Sequence, residues 1–158
     1  YVNMIDPSGQ EALRDAVELM YFAYRAFTDR ADRILERRGL GRVHHRVLYF
    51  IGRNPGVSVS GLLEVLAVSK QALNAPLRQL QEMNLVAVAL GGPDRRVKPL
   101  RLTERGRQLE AELSGAQMGQ LAAAFAAAGA SEAAGWRAVM AELARDATSS
   151  ERAGKRTS

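Results

Sequence analysis

One stretch of this 158-residue chain concentrates the polar side chains that could recognise a ligand. Gln and Asn amides can pair with adenine edges, and Lys and Arg can donate to guanine or to phosphate oxygens. Leu73, Leu77 and Leu80 recur at spacings of four and three, which predicts a helix with one apolar face. An ordinary amphipathic surface helix explains this pattern equally well. The opposite face carries Lys70, Gln71, Asn74 and Arg78.

A basic hairpin is predicted directly after this helix, and a plain surface helix does not explain it. Leu85 to Leu90 is an apolar run, and Gly-Gly-Pro-Asp at 91–94 is a turn signal. Four cations follow within seven residues, Arg95, Arg96, Lys98 and Arg101. The helix and the glycine-tipped cationic hairpin together favour a surface that binds nucleic acid.

Hydroxyl side chains mark where three helices begin. Ser58 precedes an apolar pattern of Leu62, Leu63 and Leu66, and its hydroxyl can accept a free backbone N–H of the first turn. Ser69 takes the same position after a tight turn at 67–69, and Thr103 does so after the hairpin. The order helix, turn, helix, hairpin is typical of a winged helix-turn-helix.

The segments VSKQALNAPLRQLQEMNLV and PDRRVKPLRLTERG resemble the recognition helix and the wing of the MarR family of transcription regulators. The resemblance extends over roughly residues 8–147. It implies a mainly α fold with a small β-hairpin wing, and a homodimer that binds a palindromic operator in double-stranded DNA. It also implies a repressor released by a ligand or by oxidation. The implied DNA-contacting residues are Ser69, Lys70, Gln71, Asn74, Arg78, Asp94, Arg95, Arg96 and Lys98. In this wing pattern Arg96 enters the minor groove, and Asp94 holds its guanidinium.

Four positions depart from the family pattern. Pro76 lies within the recognition helix, where it removes one backbone hydrogen bond, and we expect it to bend the helix without ending it. Ala75 replaces a long polar residue. Ala67 replaces the usual turn glycine, and Asn84 replaces the glycine that ends the helix, although Asn tolerates the left-handed conformation.

Composition restricts the function classes. The net charge is +5, and residues 69–107 hold eight cations against three anions, so the excess lies in the segment just described. The chain has no cysteine, which excludes disulfides and thiol-based redox sensing by this chain. We find no membrane-spanning run and no leader sequence, and therefore expect a cytoplasmic protein without a membrane partner.

The remaining pattern predicts long helices on both sides of the central block. Ser8 to Glu11 resembles a capping box before a helix that reaches about Arg38 and stops at Gly39. A helix follows at 42–53. After Thr103 a helix should run to about Ala128, and Ser131 should cap a last one. We therefore divide the chain into an N-terminal arm and dimerisation helix (1–40), a DNA-binding domain (41–103), C-terminal dimerisation helices (104–147) and a disordered tail (148–158).

A small aromatic or acidic effector is implied by the resemblance alone. The family binds such molecules between the long first helix and the DNA-binding lobe, which makes Tyr21, Tyr24, Arg25, His44 and His45 candidate ligand residues. Packing explains the tyrosines equally well. Adjacent histidines on a helix point about 100° apart and cannot share one ion, so we expect one half-buried and one solvated histidine.

Two other function classes remain open at this point. The chain could be the dimerisation domain of an enzyme, or a winged helix that contacts proteins. No glycine-rich cofactor loop, metal-ligand cluster or catalytic triad order is present, so we predict no enzyme activity, cofactor or metal. A protein-binding winged helix should have an apolar or acidic recognition face, whereas the predicted face is polar and basic.

Overall fold

A computed structural model describes residues 7–89, 92–94 and 96–154 of the chain. These residues form six helices and one two-stranded antiparallel sheet, which confirms the predicted mainly α fold with a small hairpin. None of the helices described is long and apolar enough to cross a membrane. In chain order the elements are α1 (Pro7–Glu36), α2 (Arg42–Arg53), α3 (Val59–Leu66), α4 (Lys70–Glu82), β1 (Val86–Val88), β2 (Leu100–Leu102), α5 (Glu104–Ala128) and α6 (Ala130–Gly154).

The core lies between α2, α3, α4, the hairpin and the near ends of α1 and α5. Val86 pairs with Leu102 and Val88 with Leu100 across the two strands, while Val57 adds an isolated bridge to Leu100. Burying these side chains supplies the main driving force for this lobe. Among the described residues, the fully buried leucines and isoleucine are Leu35, Leu48, Ile51, Leu62, Leu73, Leu80, Leu100 and Leu113.

The three predicted helix caps are confirmed. The Ser58 hydroxyl accepts the Gly61 N–H at 3.0 Å, and the Ser69 hydroxyl accepts the Ala72 N–H at 3.1 Å. Thr103 accepts the N–H of Gly106 at 3.0 Å. Each hydroxyl satisfies a backbone donor that has no partner within the helix.

Two helices end in the same hydrogen-bonded turn. After α1, Leu40 N–H donates to Leu35 O and Gly39 N–H to Glu36 O, with Gly39 at φ +68°. After α4, Leu85 N–H donates to Leu80 O and Asn84 N–H to Gln81 O, with Asn84 at φ +57°. Both are Schellman motifs. The predicted stop at Gly39 and the predicted tolerance of Asn84 are therefore confirmed.

Three predicted boundaries are wrong. The first helix begins at Pro7, so Ser8 lies inside it, since proline suits the first helical position. The last helix begins at Ala130, so Ser131 lies in its first turn. That helix also continues to Gly154, where the sequence predicted a disordered tail from residue 148; residues 155–158 lie outside the described residues.

Much of α1 projects beyond the core. Its residues from Gln10 to Ala26 are exposed in the protomer, including several large apolar side chains. The C-terminal part of α1 packs against α5, and Arg38, in the turn directly after α1, donates to Glu112 of α5 at 3.0 Å. The near ends of α1 and α5 thus pack on the central lobe, α6 packs on α5, and the rest of α1 leaves large apolar side chains exposed.

Candidate nucleic-acid interface

The polar face of α4 is built by the burial of its opposite side. Leu73, Leu77 and Leu80 are buried in the core, which turns the predicted reading face towards solvent. Within this face, Arg78 Nε lies 3.8 Å from Glu82 Oε1 in an exposed ion pair. Such pairs are weak enough to exchange for phosphate. Lys70, Gln71, Asn74 and Arg78 are all exposed.

Pro76 does not end the recognition helix. The helix runs unbroken to Glu82, as predicted, because the Ser69 cap holds its first turn and the later leucines anchor its second half. Proline cannot donate a backbone hydrogen bond to Ala72. The bend at this position stays a prediction.

The turn between α3 and α4 holds an alanine in an unusual conformation. Ala67 has φ +52° and ψ +41°, the left-handed region that costs an L-residue about 1–2 kcal/mol. Val68 beside it packs against the core. Alanine thus adopts, at a cost in strain, a backbone conformation that glycine adopts freely.

The tip of the wing is shaped by Asp94. Its Oδ1 accepts the backbone N–H of Arg96 at 2.9 Å, and its carbonyl accepts the N–H of Val97 at 3.2 Å. The sequence-based prediction placed the Arg96 guanidinium on this carboxylate, whereas the hydrogen bond found is to the Arg96 backbone. Arg96 and Lys98 are exposed, and Arg95 lies outside the described residues.

The wing is fixed to the rest of the lobe through Thr103 and Gly106. Thr103 Oγ1 donates to Asn84 O at 2.7 Å, and its N–H donates to Leu85 O at 3.1 Å. A Cβ added at Gly106 would lie 1.9 Å from that same Leu85 oxygen. The Leu-Thr-x-x-Gly pattern thus joins the end of α4, both strands and the start of α5.

Comparison with known proteins agrees with this geometry. A family model described as the MarR family matches residues 38–97. The HTH-type transcriptional regulator PetP of Rhodobacter capsulatus is 48% identical over 130 residues, which are 82% of this chain and 78% of PetP. The chain belongs to the MarR family. Like its relatives it is a winged helix-turn-helix, DNA-binding transcription regulator.

Two solved structures share the fold of this MarR-family chain. Streptococcus pneumoniae FabT in complex with DNA has a TM-score of 0.75 at 16% identity, and the match covers 87% of this chain and 98% of FabT. Staphylococcus aureus MarR in complex with salicylate and kanamycin has a TM-score of 0.67 at 18% identity, covering 89% and 95% of the two chains.

The predicted ligand residues are only partly brought together. Tyr21 and Arg25 form one pair on α1, with the guanidinium carbon 5.8 Å from the ring centroid, and Tyr21 is 59% exposed. Tyr24 lies instead against Arg42, whose guanidinium carbon is 5.4 Å from the centroid of the Tyr24 ring. A groove of about 560 Å³ between α1 and α5 is lined by other residues, among them Arg30 and Glu112.

Arg42 is a potential anion-binding residue that the sequence analysis missed. Its guanidinium contacts both Asp32 oxygens, the closer at 2.7 Å, and donates to the Thr28 hydroxyl at 3.1 Å. The hydrogen bond with Asp32 raises the pKa of Arg42. An arginine at the first position of a helix carries no obvious signal, since its partners on α1 become neighbours only through folding.

The two adjacent histidines are both half-buried, so the expectation of one solvated histidine is wrong. Burial lowers the pKa of His45, and the negative charges of Glu110 and Asp32 offset part of that shift. His44 instead makes hydrogen bonds at both ring nitrogens, to Gly41 N–H and to Gln79 Oε1, each at 2.9 Å. The His44 ring is therefore committed to contacts within the protein at both nitrogens.

Proposed function

We propose that this MarR-family regulator is a homodimeric repressor that reads a palindromic operator with α4 and the wing. The observation that carries the proposal is the solvent-facing polar side of α4, held opposite three buried leucines and followed by a cationic hairpin. The major groove admits one helix, and the wing cations suit the flanking backbone or the minor groove. The proposed contacts remain the nine residues predicted from the sequence, from Ser69 to Lys98.

The homodimer is supported by the uncovered apolar surface of the long helices. Contiguous exposed apolar area of this kind marks an interaction site, and identical surfaces related by a two-fold axis close into a dimer. A dimer would place two reading helices about 34–36 Å apart, one turn of DNA. The large exposed apolar side chains are Leu13, Val17, Leu19, Met20, Tyr21, Phe22 and Tyr24 on α1, Met118 on α5, and Trp136, Val139 and Leu143 on α6.

Sedimentation velocity at micromolar concentration tests the dimer. We expect a single species of twice the protomer mass, and Val17→Glu combined with Val139→Glu should shift it to monomer. A wild-type protein that stays folded and monomeric at this concentration would contradict the proposal.

Relief of repression by a small aromatic acid is the second part of the proposal. It is supported by the salicylate complex of the S. aureus relative and by Arg42 and Tyr24, which offer a cation beside an aromatic ring. Because Asp32 already neutralises Arg42, a ligand carboxylate would have to displace Asp32. Ligand binding changes the DNA equilibrium only if it favours one arrangement of the dimer.

DNA binding is tested with the fragment upstream of the protein's own gene. We expect protection of a palindrome, loss of binding in a Lys70→Ala, Asn74→Ala double variant, and a reporter that is silenced by the wild type. Salicylate should weaken binding of the wild type more than that of Arg42→Gln. Absence of protection on this fragment and on a random duplex pool would refute the function.

A further inference from the structure

Three linked hydrogen bonds join Gln79 of the recognition helix to the start of α2 and to the turn between α1 and α2. The Gly41 N–H donates to His44 Nδ1 at 2.9 Å, and His44 Nε2 lies 2.9 Å from Gln79 Oε1. The Gln79 amide nitrogen then donates to the Gly39 carbonyl at 3.2 Å. We call this set the His44–Gln79 relay.

The direction of each hydrogen bond in the relay follows from the first one. Because His44 Nδ1 accepts the Gly41 N–H, it carries no proton, and the neutral ring must hold its proton on Nε2. That proton is donated to the Gln79 oxygen. The Gln79 nitrogen is then the group left to donate to Gly39 O, so the ring and the amide fix one another's orientation.

The relay joins two parts of the fold that have different tasks. Gly39 closes the Schellman turn of α1, the helix proposed to form the dimer, and Gln79 lies on α4, just beyond the reading residues. Apart from the relay, α4 is held largely by buried leucines. The hydrophobic stabilisation from such side chains is non-directional, whereas a hydrogen bond depends on both distance and angle.

We propose that Gln79 and His44 are positioning residues that set the pose of each recognition helix relative to α1. In the dimer this pose determines the separation and twist of the two reading helices. The relay would therefore determine which spacing between operator half-sites the protein accepts. The inference rests on the proposed function, because it requires a dimer bound to a palindrome.

Two substitutions cut the relay at different points. Gln79→Met keeps the length and helix propensity of the side chain but removes both of its hydrogen bonds. His44→Gln keeps an acceptor for the Gly41 N–H, since the side-chain oxygen of a Gln at the third helical position can reach back to the N-cap N–H, but gives up the imidazole that Gln79 contacts. Gln81→Met, on an exposed position of the same helix, is the matched control. Gln79→Glu serves as a second variant if Gln79→Met does not fold.

The readout is the preference for half-site spacing. A palindrome is selected with the wild type from a random duplex pool, and its spacer is then shortened or lengthened by one base pair. Each step changes the separation by about 3.4 Å and the twist by roughly 35°. We expect both relay variants to lower the preference for the native spacer by at least about twofold, the lower limit for the loss of a single hydrogen bond, because each variant removes one or two bonds in each subunit. Gln81→Met should leave it unchanged.

A double variant tests whether Gln79 and His44 act together in the relay or contribute independently to the spacing preference. Since Gln79→Met and His44→Gln interrupt the same set of bonds, the double variant should lose no more preference than the stronger single variant. Asn74→Ala provides the contrast, because a lost base contact should weaken binding to all three spacers alike.

The outcomes distinguish this inference from the proposed function. Relay variants that fold and weaken all three spacers equally, or that keep the wild-type preference, would overturn the positioning role alone. A wild type that selects no duplex or remains monomeric would overturn the proposed function, and the inference with it. Loss of spacing preference in both variants, with the control unchanged, is the expected result.

Discussion

A methyl group added at Gly106 should strongly destabilise the DNA-binding lobe. A Cβ there would lie 1.9 Å from Leu85 O. The two atoms would have to move apart by more than a further 1 Å to reach a normal contact distance. The Leu85 oxygen is a backbone atom that also accepts the Thr103 N–H, so no side-chain rotation relieves the clash. We therefore expect Gly106→Ala to displace the junction between α4, the wing and α5.

The magnitude follows from three contributions. Forcing an extra methyl into a packed site costs roughly 1–3 kcal/mol, and loss of the Thr103 N–H bond adds about 1–1.5 kcal/mol. The higher helix propensity of alanine offsets about 1 kcal/mol. The free energy of unfolding should thus fall by roughly 1–3.5 kcal/mol, which corresponds to a decrease in Tm of about 2–14 °C for a chain of this size.

Thermal and urea unfolding at a fixed chain concentration measure this effect, since the proposed dimer would make Tm concentration-dependent. Gly92→Ala is the matched control, because a Cβ at Gly92 meets nothing within 4 Å. Its Tm should stay within about 1–2 °C of the wild type. Equal stability of Gly106→Ala and Gly92→Ala would refute the close-approach argument.

Three further predictions concern the wing, Ala67 in the turn between α3 and α4, and the half-buried His45. Arg96→Ala should weaken DNA binding and reduce the magnitude of the log K against log salt slope by about 2, one per wing. Asp94→Ala should also weaken binding, whereas Asp94→Asn, which keeps an oxygen for the Arg96 N–H, should not; titration at several salt concentrations decides, and tighter binding by Asp94→Ala would contradict the role of this turn. Ala67→Gly should raise the free energy of unfolding by about 0.5–1 kcal/mol in urea denaturation, because it relieves left-handed strain at some cost in chain entropy. The pKa of His45 is lowered in the folded state, so its contribution to stability is complete above the unfolded pKa of about 6.5 and is lost as pH falls below it; unfolding between pH 7.5 and 5 should show a slope that His45→Gln reduces.

Local signals in the sequence were sufficient for most of the fold. Ser58, Ser69 and Thr103 cap helices as predicted because a cap depends on a hydroxyl and on N–H groups three residues away. The left-handed turns at Gly39 and Asn84 depend on one residue's tolerance of positive φ. Boundaries at the chain ends were less well predicted, since Pro7 and Ala130 extend helices beyond the stronger capping signals at Ser8 and Ser131.

The candidate site also has features that the sequence predicted and one that it could not predict. The polar residues of α4 could be assigned from periodicity, because a helix with buried leucines at 73, 77 and 80 leaves only its other face for solvent. The wing's charge was also readable as a cluster of cations. The contact between Asp94 and Arg96 could not be predicted in the same way. Asp94 could reach either the backbone or the guanidinium of Arg96, and only the turn geometry selects the backbone N–H.

The sequence by itself therefore determined the helices and the chemistry of the reading face, which depend on neighbours within about four residues, and the hairpin, which its local turn signal marks. The tertiary structure decided which distant groups meet. Gln79 reaches His44 and Gly39 across 35 and 40 positions of the chain, and Arg42 finds Asp32 on another helix. Gly106 is required because a carbonyl 21 residues earlier lies against it. Such pairings depend on how the elements pack, and packing is a property of the whole core rather than of any local pattern.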